Sequence, residues 1–187
     1  GLPALTSSSI LDEFGVYIEV EKIGKYLDTL YASSTEDVHV VEYNNPTSTK
    51  NNIFMMGGAA IRSQLYFDLS SLPKNIVVNK AILSLYIDST ETLQGTPASD
   101  TVYAIILDDS TSHSINTYYD IGVLYRNNYI YSGDVASIIQ RWSDGLENQG
   151  FRLNLSNEAN CVNKVAIGGS KSTTYKPKLK IIYTNRK

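Results

Sequence analysis

Ile61-Arg62-Ser63-Gln64-Leu65-Tyr66-Phe67-Asp68-Leu69 and Ala81-Ile82-Leu83-Ser84-Leu85-Tyr86-Ile87-Asp88 decide the fold. In the first stretch Ile61, Leu65, Phe67 and Leu69 share one side, with Ser63 the single interruption. Arg62, Gln64, Tyr66 and Asp68 share the other. Successive side chains of a strand point to opposite faces, so the pattern describes one buried and one wet face. In the second stretch Ala81, Leu83, Leu85 and Ile87 form the buried set. Between the two, Ser70-Ser71-Leu72-Pro73-Lys74-Asn75 is turn chemistry, with a proline that fixes φ and cannot extend a sheet.

Working outward, the same period recurs. Phe14, Val16, Ile18 and Val20 alternate with polar residues and predict a strand that Gly24 ends. Further strands are predicted at 26–31, 37–43, 53–56, 102–107, 118–119, 123–125, 151–155, 162–167 and 178–183. Asn44-Asn45-Pro46 opens one long polar loop, and residues 108–114 form another. One helix is predicted over 134–143. Asp134 is its N-cap, Val135, Ile138, Ile139 and Trp142 make its apolar stripe, and Gly145 stops it. Many short strands with frequent turns predict an all-β, jelly-roll-like β-sandwich with one short helix. Residues 1–12 read as a flexible lead-in, and 13–187 as a single sandwich domain.

Composition narrows the function classes. A chain of 187 residues buries roughly two-thirds of its unfolded surface, enough without metals or disulfides. The single Cys161 excludes an internal disulfide framework. A net charge of −3 gives no electrostatic case for nucleic acid. No run approaches the roughly 18 apolar residues of a membrane helix. The 14 tyrosines, against 4 Phe and 1 Trp, suit half-buried strands with a wet hydroxyl. The start Gly1-Leu2-Pro3-Ala4-Leu5 reads as a processed end, consistent with an export signal outside this chain.

Three blocks carry a family resemblance. They are residues 62–73, residues 79–86, and Gly133-Asp134-Val135 through Trp142 to Gly150-Phe151-Arg152-Leu153. Together they resemble the DNRLRE domain, a jelly-roll β-sandwich related to carbohydrate-binding modules that include alginate binders. Tyr118, Tyr119, Tyr125, Tyr129 and Tyr131 stand where that family carries a Trp-rich segment. The resemblance implies a non-catalytic polysaccharide-binding module of an exported bacterial surface protein, extracellular or at the cell surface. A structural or cell-adhesion domain with no glycan ligand needs the same core and stays open beside it. In such modules loop oxygens often hold a structural calcium, for which Asp108 and Asp109 are the candidates.

Among single residues, His39 and His113 lack acidic or Cys neighbours at ligand spacing, so neither reads as a metal ligand or a catalyst. The pairs Asp12-Glu13, Glu36-Asp37 and Asp108-Asp109 are adjacent in sequence beside turns. Glycoside hydrolysis instead sets two carboxylates about 5–10 Å apart across a cleft, so no enzyme is expected. Trp142, on the helix stripe, reads as core. Tyr66 and Tyr86 share the wet phase of the two central strands with Arg62 and Gln64. If those strands are neighbours, they offer aromatic area beside a cation and an amide, which suits an acidic or neutral glycan. Tyr118, Tyr119 and Tyr125 would be rim aromatics of that face. The plainer reading has these residues filling a second sheet face. The C-terminal lysines, Lys176, Lys178 and Lys180 among them, read as guards of an edge strand.

Overall fold

A computed structural model of the chain describes residues 10–11, 15–21, 27–33, 52–112, 114–115 and 121–186. The chain divides into two compact units, Gly1–Val40 and Val41–Lys187. The first unit holds β1 (Ile10–Leu11), β2 (Gly15–Glu21) and β3 (Leu27–Ser33), an antiparallel sheet in the order β1-β2-β3. β1 takes two residues of the expected flexible lead-in. The strand expected at 37–43 lies outside the described residues.

The second unit is all-β and sandwich-like, with one short helix. Its strands are β4 (Asn52–Met56), β5 (Ser63–Leu65), β6 (Ile76–Tyr86), β7 (Thr101–Asp109), β8 (Ser114–Ile115), β9 (Gly122–Asn127) and β10 (Ile130–Asp134). Helix α1 (Ala136–Ser143) follows, then β11 (Phe151–Leu155), β12 (Lys164–Gly168) and β13 (Lys178–Asn185). The large antiparallel sheet runs β13-β6-β10-β9-β7-β11-β5, with β8 paired to β7. β4 and β12 form a second, two-stranded sheet.

The core lies where the alternation puts it. Ala81, Leu83 and Leu85 of β6 are fully buried, while Ile82, Ser84 and Tyr86 of the other phase are half-buried. They pack with Val102, Ala104 and Ile106 of β7 and with Phe151, Leu153 and Leu155 of β11. Met55, Val165 and Ile167 of the small sheet join the same cluster. In 61–69 the alternation also holds, although the strand itself is only β5 and residues 66–69 lie outside the ladder. Ser63, the polar interruption, is buried because its hydroxyl donates to the Phe54 carbonyl at 2.6 Å. A buried hydroxyl with a partner avoids the desolvation penalty of an unpaired one.

Asp134 ends β10 and is not the N-cap of α1; that position is Val135, which has no side-chain cap. The carboxylate still serves the helix start, accepting the Ala136 amide at 2.9 Å and the Ala81 amide at 3.2 Å. Ile138, Ile139 and Trp142 are buried, as the stripe predicts. The helix ends as a Schellman motif: Gly145 at φ +113 donates to the Trp142 carbonyl and Leu146 to that of Arg141. β10, absent from the sequence reading, fits only because of Gly133. A Cβ there would lie 2.1 Å from the Val123 carbonyl oxygen of β9.

Tyr131 of β10 is buried and its hydroxyl donates to the Ser99 carbonyl. Burial pushes its phenol up to about 12, from an ordinary 10.0. A folded-state value raised above the unfolded one gives stability that is complete below about 10 and lost as pH rises through about 12. Urea unfolding followed between those pH values is expected to show a stability loss in the native chain. Tyr131→Phe, though less stable at neutral pH, should lack that alkaline slope; an equal slope in the variant would assign it to other groups.

Candidate functional site: an arginine cleft at the terminal strand

β5 is the last strand of the large sheet and pairs antiparallel with β11, which sets Arg152 opposite Gln64. Arg62 precedes Gln64 by two residues and shares its exposed phase. The pairing therefore brings Arg62, Gln64 and Arg152 together, with Ala60 and Ser63, around an open cleft of about 450 Å³.

Glu158, in the turn after β11, grips Arg62 through both carboxylate oxygens, with Nε at 3.2 and 3.1 Å. The Gly58 amide donates to the Glu158 carbonyl at 2.8 Å, so one residue fixes both the chain before β5 and the guanidinium. This pairing raises the Arg62 pKa above its ordinary value. Arg152 is different. Burial first, and then the charge of Arg62, lower its pKa, and its Nε is buried with no hydrogen-bond partner among the described residues. An arginine stays cationic at neutral pH even so. The Glu158 charge acts on Arg152 as well, so the group is two guanidiniums sharing one carboxylate. Gln64 Nε2 lies 3.3 Å from the Ser110 carbonyl, which holds the amide at the side of the cleft.

Arg62, just before β5, and Arg152, on β11, set two guanidiniums beside one carboxylate. Carboxylate and sulfate both match the fork of arginine donors. Compared with family models, curated proteins and solved structures, the chain matches none of them.

The other predicted site residues fall elsewhere. Tyr66 follows β5 and is 61% exposed, but it lines a different cleft at the end of α1. Tyr86 ends β6, which β10, β9, β7 and β11 separate from β5 in the sheet. Tyr66 and Tyr86 are thus not on neighbouring strands, and the aromatic pair built on that condition does not form. The Lys178 ammonium lies 5.3 Å from the centroid of the Tyr86 ring and covers it. Tyr118, Tyr119, His39 and His113 lie outside the described residues. Tyr125 is exposed on β9.

Asp108 and Asp109 end β7 and do not open a long loop, because Ser114 and Ile115 pair back as β8 with an irregularity at Asp108. The Asp109 carboxylate accepts the Thr111 amide at 2.7 Å, which lowers its pKa and commits one oxygen to the turn. Among the described residues no three His, Cys, Asp or Glu side chains gather into a cation site. Nor does any described helix have the length and apolarity to cross a membrane.

Arg152 is the residue that sequence reasoning missed. Its polar phase within Phe151-Arg152-Leu153 was visible, but its place beside Gln64 depends on a long-range strand pairing. Trp142 is core as predicted, its ring 4.9 Å from that of Phe151. Cys161 is buried, its Sγ 3.6 Å from Ser99 Oγ within a knot that also ties Asn163 and Asn157.

Proposed function

We propose that the chain is a non-catalytic polysaccharide-binding module of an exported bacterial surface protein, taking acidic glycans at the Arg62–Gln64–Arg152 cleft. The supporting observation is the cleft's charge: two guanidiniums, one carboxylate, and Arg152 without an ion pair among the described residues. A uronate or sulfated sugar supplies the missing anion, and its hydroxyls suit the Gln64 amide. The likeness of residues 62–73, 79–86 and 133–153 to the DNRLRE domain points the same way. The second reading, a structural or adhesion domain without a glycan ligand, draws on Tyr131 in the core and Tyr86 under Lys178.

Affinity electrophoresis through gels carrying alginate, pectin, mucin glycans or neutral dextran tests the proposal. Retardation by the acidic polymers and free passage through dextran are expected. Retention should survive EDTA, because Asp109 is engaged by its own turn and no ion is invoked at the arginines. Free passage through every gel would favour the structural reading, and retention lost in EDTA would transfer the site to a bound cation.

A further inference from the structure

Residues 62, 64, 66 and 68 form the exposed phase of one extended segment. Arg62 and Gln64 line the arginine cleft. Tyr66 and Asp68 line a second one, of about 490 Å³, where α1 ends, together with Lys74, Trp142, Ser143 and Asn148. The two clefts therefore follow one another along a single strip of chain.

Two residues lining the second cleft carry buried orphan polar groups. Trp142 is only 9% exposed, and neither its Nε1 nor Ser143 Oγ has a hydrogen-bond partner among the described residues. Several acceptor oxygens around them already have partners. Asp68 Oδ1 accepts the Ser70 amide, Asn148 Oδ1 the Gly150 amide, and Asp144 Oδ1 bonds Gln140 and Arg186. An indole N–H is a donor only, so what it lacks is an acceptor oxygen. Lys74 is outnumbered by Asp68 and Asp144 in the same lining, so no excess of positive charge favours an anion.

We infer that this second cleft is a subsite for an uncharged, hydroxyl-bearing sugar unit of the chain whose acid group the arginine cleft holds. The inference rests on the glycan reading above. The exposed Tyr66 ring offers the sugar an aromatic face. A sugar hydroxyl entering the cleft accepts from Trp142 Nε1 and bonds Ser143 Oγ as the side chains over these buried atoms shift. The arginine cleft reads charge and the second cleft reads hydroxyls.

The single tryptophan makes the test local, because one indole N–H signal reports this cleft. The ¹⁵N-labelled full chain is titrated with cellohexaose and with hexagalacturonate at about 20 and 300 mM NaCl, a range that changes screening strongly. Cellohexaose is expected to shift the indole signal saturably, equally at both salt levels, in the native chain and in Arg152→Ala. Tyr66→Ala, a surface change, should weaken that response about threefold or more. Hexagalacturonate binding that Arg152→Ala abolishes, with an indole unmoved by either sugar, overturns the subsite and leaves the acidic-glycan reading standing. An indole shift with cellohexaose but no response to hexagalacturonate overturns the acidic-glycan reading and retains a neutral sugar site. Silence toward both sugars overturns both.

Discussion

Phe151→Ala is expected to lower the unfolding free energy by about 3–5 kcal/mol, the range for removing a large buried ring. Phe151 is fully buried at the start of β11, in register with Ile106 on one side and Leu65 on the other. Its ring also packs on Trp142, so it ties the helix to the sheet. Truncation opens a cavity that no flexible neighbour fills, since the ladders on both sides hold the backbone in place. Urea unfolding of the native chain and the variant, followed by Trp142 fluorescence, measures the loss. A change below about 1 kcal/mol would mean that the site collapses freely and that β11 is not the pivot assigned to it.

Arg152→Ala is expected to weaken binding of an acidic oligosaccharide by about ten- to a hundredfold. That is the loss of a charge-assisted hydrogen bond, about 1.5–3 kcal/mol, read at about 1.4 kcal/mol per factor of ten. Arg152 is half-exposed with no ion pair of its own among the described residues, so its removal strands no partner and the fold should persist. Changes at the neighbouring pair have opposite signs. Arg62→Ala releases Glu158 as an unpaired carboxylate beside the cleft and should also weaken binding. Glu158→Gln removes the carboxylate that, among the described residues, offsets the arginines and should strengthen it. Calorimetry with hexagalacturonate distinguishes these outcomes, and all three effects should shrink as salt rises. Equal affinities across the set would remove the arginines from the site.

Much of this was legible in the sequence, for identifiable reasons. The alternation in 61–69 and 81–88 gave the inward residues correctly, since period two depends only on local backbone geometry. The helix stripe was equally clear, because Ile138, Ile139 and Trp142 fall on one side of any helix through them. β10 was not legible. Ile130-Tyr131-Ser132-Gly133 shows no apolar alternation, and its glycine answers to a neighbouring strand's carbonyl. Asp134 was read as a cap because its carboxylate does bind the first turn, but from one residue further back. The site was half legible: Arg62 and Gln64 share a strand phase, whereas Arg152 joins them only through the β5–β11 pairing. The same sheet order that brings in Arg152 keeps Tyr86 away from Tyr66.

The most direct measurement is the arginine side-chain ¹H–¹⁵N spectrum of the intact chain during titration with hexagalacturonate. The Arg152 and Arg62 Nε–H signals are expected to move together with one dissociation constant, and salt should reverse the movement. Binding seen by calorimetry while both signals stay fixed would contradict this expectation, and the arginine cleft would then not be where the glycan sits.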